Sequence, residues 1–148
     1  MAKDIPLSEI TLRKYEKPYQ SEKRELVKKI CLSIGLLQPG DSRDVIVDIL
    51  LVLLEGSKEK RKLSSDEIKQ KVEETRKKHN LEMKGNAESN IRRQLKRLRD
   101  MMIIDKKENL YYLSEFESLS RIFENKIEKF LIPQSIERIK EYLAELDK

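Results

Sequence analysis

A mainly α-helical fold with one small β unit is what this sequence predicts, and three observations lead there. Apolar residues recur at intervals of three and four along most of the chain, the spacing of a helix face. Capping and breaking residues, such as Ser64, Gly56 and Pro39-Gly40, stand at the ends of those periodic runs. One segment, Met102 to Leu113, instead shows two short apolar runs around the polar group Lys106-Lys107-Glu108-Asn109. The chain accordingly divides into an N-terminal arm and helix (1–40), a central unit with a two- or three-stranded sheet (41–114) and C-terminal helices (115–148).

Composition narrows the function. Of the 148 residues, 38% are hydrophobic and 40% charged, with Gly 4 and Pro 4, which suits a modest core and excludes collagen-like or low-complexity chains. A net charge of +5 and a pI of about 9.2 favour a polyanionic partner. Many Lys, Glu and Arg beside few Gln and Asn make the composition thermophile-like. The lone Cys31 leaves no internal disulfide or multi-cysteine zinc module, and its place in Ile30-Cys31-Leu32 reads as a small buried hydrophobe. The lone His79, in Lys-Lys-His-Asn, reads as a solvated helix end. Neither has a catalytic neighbour in sequence, and no glycine-rich phosphate loop appears, so no enzyme, metal or cofactor is expected. Residues 1–20 lack the apolar core of a secretory signal. The longest apolar run, Val45 to Leu54, is interrupted by Asp48 and too short to span a bilayer. A soluble cytoplasmic protein without a membrane partner is the expectation.

The elements follow in order. Between two prolines, the arm shows scattered apolar positions that predict a short helix from about Ser8 to before Pro18, laid across a partner subunit. Ser21 is placed to cap the next helix, whose broad apolar face holds Leu26, Val27, Ile30, Ile34 and Leu37. Asp41 or Ser42 caps a helix from Val45 that is apolar nearly all round, the mark of a central element. Gly56 should end it. Asp41, Asp44 and Asp48 can share a face; pairing with Arg or solvent is favoured there over a bound cation. Lys58 to Lys62 forms a basic loop, solvated or in contact with phosphate. Ser64 and Glu67 have capping-box spacing and open a helix with a narrow stripe at Ile68 and Val72.

A Gly85-Asn86 turn leads to the most informative stretch. Asn86 is expected to cap a helix whose stripe runs through Ala87, Ile91, Leu95, Leu98 and Met102. Its other face carries Ser89, Asn90, Arg92, Arg93, Lys96, Arg97 and Arg99. Such a face supplies donors for phosphates and for base edges in a major groove, while the stripe fixes the helix angle. The strands that follow should point Tyr111 and Leu113 inward and Tyr112 outward, with Lys106 and Lys107 at a basic tip. Residues 57–113 hold 17 Lys/Arg against 10 Asp/Glu, a net +7, and residues 114–148 hold 6 against 8, a net −2. The positive excess therefore falls on this unit.

Residues 42–114 resemble the winged helix-turn-helix domain of archaeal and bacterial transcription regulators, the broad MarR, ArsR and PadR-like group. The capped helix at Ser64 to Lys78, the helix at Ala87 to Asp100 and the segment MMIIDKKENLYYLS carry the likeness. A Met-Met pair stands where many members have Gly-Leu, and the hairpin tip lacks their usual Gly. The resemblance implies a winged helix with extra N- and C-terminal helices. It also implies double-stranded DNA binding through a recognition helix (87–100) and a basic wing (102–113). Ser89, Asn90, Arg92, Arg93, Lys96 and Arg97 would contact DNA from the helix and Lys106 and Lys107 from the wing. An alternative stays open: a winged helix that binds protein, as in chromosome-segregation or polymerase-associated assemblies.

Beyond the wing, Phe116, Leu119, Phe123, Ile127 and Phe130 recur at helical spacing, Pro133 interrupts, and Ile136, Ile139, Leu143 and Leu146 resume it. These stripes and the N-terminal helices favour a homodimer that reads two half-sites. No effector is implied.

Overall fold

The computed structural model describes residues 4–19 and 21–148, so the arm expected over 1–20 lies outside the described residues at 1–3 and 20. The chain is mainly helical with a small three-stranded antiparallel sheet. Its elements are α1 (Lys23–Ser33), α2 (Val45–Lys58), β1 (Leu63–Ser64), α3 (Ser65–Lys78), α4 (Glu88–Asp100), β2 (Ile104–Lys107) and β3 (Leu110–Leu113). A helical stretch follows as α5 (Leu119–Ile122), a π-helical run (Phe123–Leu131) and α6 (Ile132–Leu146).

α2 is the centre. Val45, Ile46, Val47, Ile49, Leu50, Val52 and Leu53 are all buried, as its all-round apolar sequence requires. Each such side chain contributes about 1.5–3 kcal/mol of burial. α1, α3 and α4 pack around it with the sheet. The sheet order is β1-β3-β2, with Leu63 opposite Tyr111 and Ile104 opposite Leu113.

Charge joins apolar packing in tying α1 and α3 to that centre. Asp48, fully buried, accepts from Arg24 Nε at 3.0 Å and from Arg76 Nη1 at 2.6 Å. Asp44 accepts from Arg24 Nη2 at 3.1 Å and Arg76 Nη1 at 3.0 Å. Asp44 and Asp48 are thus the Arg-paired strip, while exposed Asp41 turns back to the Arg43 amide. Among the described residues no acidic, His or Cys cluster is arranged to hold a metal.

Several boundaries differ from the sequence expectation. Residues 4–19 contain no helix; the arm runs irregularly and Arg13 fastens it to the carbonyls of Leu32 and Leu37 of the same chain. α1 begins after Glu22 and not at a Ser21 cap. It buries Arg24, Val27 and Cys31, while Leu26 and Ile30 stay exposed, because Arg24 must reach the carboxylates of α2. Neither Asp41 nor Ser42 caps α2; Asp44 holds that position and spends its carboxylate on arginines. Gly56 does not end α2; it is buried within the helix, where its missing side chain leaves room for Leu63. The Ser64–Glu67 capping box forms in both directions.

The C-terminal stretch departs most. Pro133 does not break the helix: its ring fixes a helical φ, and its neighbours Leu131 and Ile132 keep right-handed helical geometry. The wider π turn ahead of it changes which residues face inward. Ile122 and Ile127, five apart, are buried, while Phe123 and Phe130 of the apolar stripe stay exposed. Among the described residues no helix is long and apolar enough to cross a membrane.

Candidate nucleic-acid interface

α4 is held by Ile91, Leu95 and Leu98, each fully buried, so its opposite face is fixed toward solvent. Its N-cap is Ala87, without a side-chain bond; Asn86 instead donates to Glu73 on α3. Ala87 is exposed and Met102 lies beyond the helix, which shortens the expected stripe at both ends.

The predicted site residues separate into two groups. Ser89, Arg92, Arg93 and Lys96 are exposed on the outer face. Arg92 pairs with Glu88 at 2.7 Å and Lys96 with Asp100 at 3.0 Å. Exposed pairs of this kind are worth about 0.3–0.5 kcal/mol, so a phosphate can replace the carboxylate cheaply. Arg93 has no carboxylate partner among the described residues. Asn90 and Arg97, by contrast, are half-buried and engaged internally. Asn90 donates to the Gly85 carbonyl at 2.6 Å and accepts from Gln94, closing the loop ahead of α4. Arg97 donates to Gln94 and to the Gly35 carbonyl at 3.2 Å, locking α4 against the end of α1.

The hairpin stands beside this face. Glu108 and Asn109 both have positive φ, the requirement of a tight two-residue turn. The tip is therefore shorter than the four polar residues suggest, and Lys106 and Lys107 belong to β2. Lys106 lies over the Tyr111 ring, 5.5 Å from its centroid, and Lys107 is exposed. Tyr111 and Leu113 are buried, as alternation predicts. Tyr112 stacks on Phe116 with centroids 4.9 Å apart, and Lys62 caps the ring at 4.9 Å.

Between α4 and the hairpin runs a cleft of about 670 Å³, lined by Lys96, Arg99, Lys106, Lys107 and Lys126 with Asp100 and Asp105. Five cations against two carboxylates make it electropositive. Two of these were absent from the predicted site. Arg99 was legible on the polar face of α4, but Lys126 reaches the cleft from the π-helical run, and no helical spacing in the sequence signals that.

No family model, curated protein or solved structure matches the chain.

Proposed function

We propose that this chain is a winged helix-turn-helix protein that binds double-stranded DNA, with α4 in the major groove and the β2–β3 hairpin as the wing. The observation that carries the reading is the cation-lined cleft where α4 and the hairpin converge. The element order α2-β1-α3-α4-β2-β3 and the strand order β1-β3-β2 support it. Ser89, Arg92, Arg93 and Lys96 contact the duplex from the helix, and Lys106 and Lys107 from the wing. Asn90 and Arg97 hold the helix in position. Regulation of transcription is the role this binding would serve.

Fluorescence anisotropy on labelled duplexes across a salt series tests this. The logarithm of affinity should fall linearly with the logarithm of salt, at about 0.9 per neutralised phosphate. Changing Arg92 and Arg93 to Ala should weaken binding and flatten that slope by nearly two. No binding at low salt, or none lost in the double variant, sinks the proposal. A protein partner on the same exposed face of α4 is the alternative reading. A stable protein complex with contacts on α4 would distinguish that reading.

A further inference from the structure

The outer face of the sheet carries aromatic rings between lysines. Tyr111 and Leu113 of β3 fill the core, so alternation turns Leu110 and Tyr112 to the other side, where both are half-buried. Phe116, in the turn after β3, stacks on Tyr112. That turn holds Glu115 and Phe116 at φ of 53° and 54°, a conformation that residues other than glycine adopt only at a cost. Cations stand at both edges of the pair. Lys62, just ahead of β1, is exposed and lies over the Tyr112 ring, 4.9 Å from its centroid. Lys107 of β2 and Lys126 of the π-helical run line the same cleft as Tyr112. Because β3 lies between β1 and β2, two strand spacings of about 4.8 Å separate these edges. Of the nearby carboxylates, Asp105 accepts from the Glu115 amide and Glu117 pairs with Arg121, while Glu115 is exposed.

We propose that this outer face binds single-stranded nucleic acid, one unpaired base stacking on Tyr112 where the Lys62 ammonium now lies. An exposed cation over a ring is held weakly, and the flexible lysine stem lets Lys62 swing from the ring to a phosphate. Lys107 and Lys126 take phosphates on the far edge. Stacked rings flanked by such cations are the chemistry of a single-strand track, tolerant of sequence because every base has a π-face. A duplex cannot use the ring, since its bases are stacked on one another. A protein partner would find the ring equally apolar, but lysines on both sides select a polyanion. Lys62, Tyr112 and Phe116 take no part in the proposed duplex contact, so the two sites are separable.

Anisotropy of labelled oligothymidylate of about twelve nucleotides, measured beside a duplex of the same length, tests this on the full chain. The oligomer should bind and should change tyrosine emission, which is readable because the chain has no tryptophan. Tyr112→Leu should lower oligomer affinity roughly tenfold and leave duplex affinity unchanged, which also shows that the variant is folded. Tyr112→Phe keeps the π-face and should bind like the parent. Lys62→Ala, at an exposed position, should reduce the salt slope for the oligomer by about 0.7, one phosphate. Changing Arg92 and Arg93 to Ala should do the reverse, weakening the duplex and sparing the oligomer, so the two readings fail separately. No oligomer binding at low salt, an equal loss for oligomer and duplex in Tyr112→Leu, or an unchanged slope in Lys62→Ala would each overturn the proposal.

Discussion

Arg76 Nη1 lies 2.6 Å from Asp48 Oδ2 in a fully buried contact between α3 and α2. The same aspartate receives Arg24 from α1, and Arg76 also donates to the Glu82 carbonyl in the loop toward α4. Two arginines and two aspartates thereby set the angles of the scaffold that presents α4. Removing one member leaves a buried charge without its partner, which costs about 3–5 kcal/mol. Asp48→Ala should lose that much in urea unfolding. Combining it with Arg76→Met should be less than additive by about 0.5–3 kcal/mol, the coupling of groups in one network. Additive losses would show that the contact does not hold the helices together.

Asp44 gives the network a pH dependence. Burial pushes its carboxyl up, but hydrogen bonds from Arg76 and Arg24 outweigh that and hold it below the usual range. The unfolded chain therefore takes up this proton first. The stabilisation is present above the ordinary aspartate value of about 3.9 and is lost as pH falls through the lower folded value. Glu16 and Glu55 are shifted down too, by Lys29 and Lys23, but they are exposed and contribute little. Urea unfolding between neutral and acid pH should show stability falling in that window, and Asp44→Asn should make the fall shallower. An identical profile in the variant would assign the acid sensitivity elsewhere.

The sequence showed the middle of this fold better than its ends. α2, the Ser64 cap and the α4 stripe were legible because local propensity and burial agree there. Leu26 and Ile30 look like core but stay exposed, since the buried face of α1 follows Arg24 and its aspartates. That pairing joins residues 20 and 24 positions apart, beyond any local pattern. The C-terminal register misled for a different reason. A π turn leaves Ile122 inward five residues before Ile127, and spacing of three and four assumes an α-helix throughout. On the candidate site, residue type marked the basic face, but only the fold separates exposed Arg93 from internally bonded Arg97.

Cys31 should be chemically silent. Burial pushes its thiol up to about 12, although the charges of Arg97 and Arg24 pull slightly the other way. At neutral pH almost no thiolate exists to react. A thiol reagent should label the native chain only at the rate of its unfolding and label it at once in denaturant. Fast labelling of the folded chain would mean that α1 opens locally.

Lys126 and Arg99 extend the proposed DNA contact. Both line the cleft beside Lys106 and Lys107, and Lys126 brings the C-terminal stretch to it. Arg99→Ala and Lys126→Ala should each lower affinity for every duplex alike and reduce the salt slope by about 0.9, one phosphate each. An unchanged slope in both would confine the contact to the outer face of α4 and the wing residues.

Gly35 joins the arm, the end of α1 and α4 at one point. Its φ of +79° is one that a side chain adopts only with strain, and an added Cβ would sit 2.6 Å from Thr11 Cβ. Its carbonyl accepts from Arg97 on α4. Gly35→Ala should therefore cost about 1–3 kcal/mol of backbone strain and, in addition, displace the arm. Changing Thr11 to Gly in the same chain should recover the part due to the clash and leave the part due to φ. Urea midpoints of the two variants separate these contributions, and full recovery would show that the backbone conformation itself costs nothing. Because Arg97 bonds to this carbonyl, the variant should also weaken DNA binding by loosening α4, and the Thr11→Gly background should restore it. Weakened binding with unchanged stability would instead place Arg97 on the duplex.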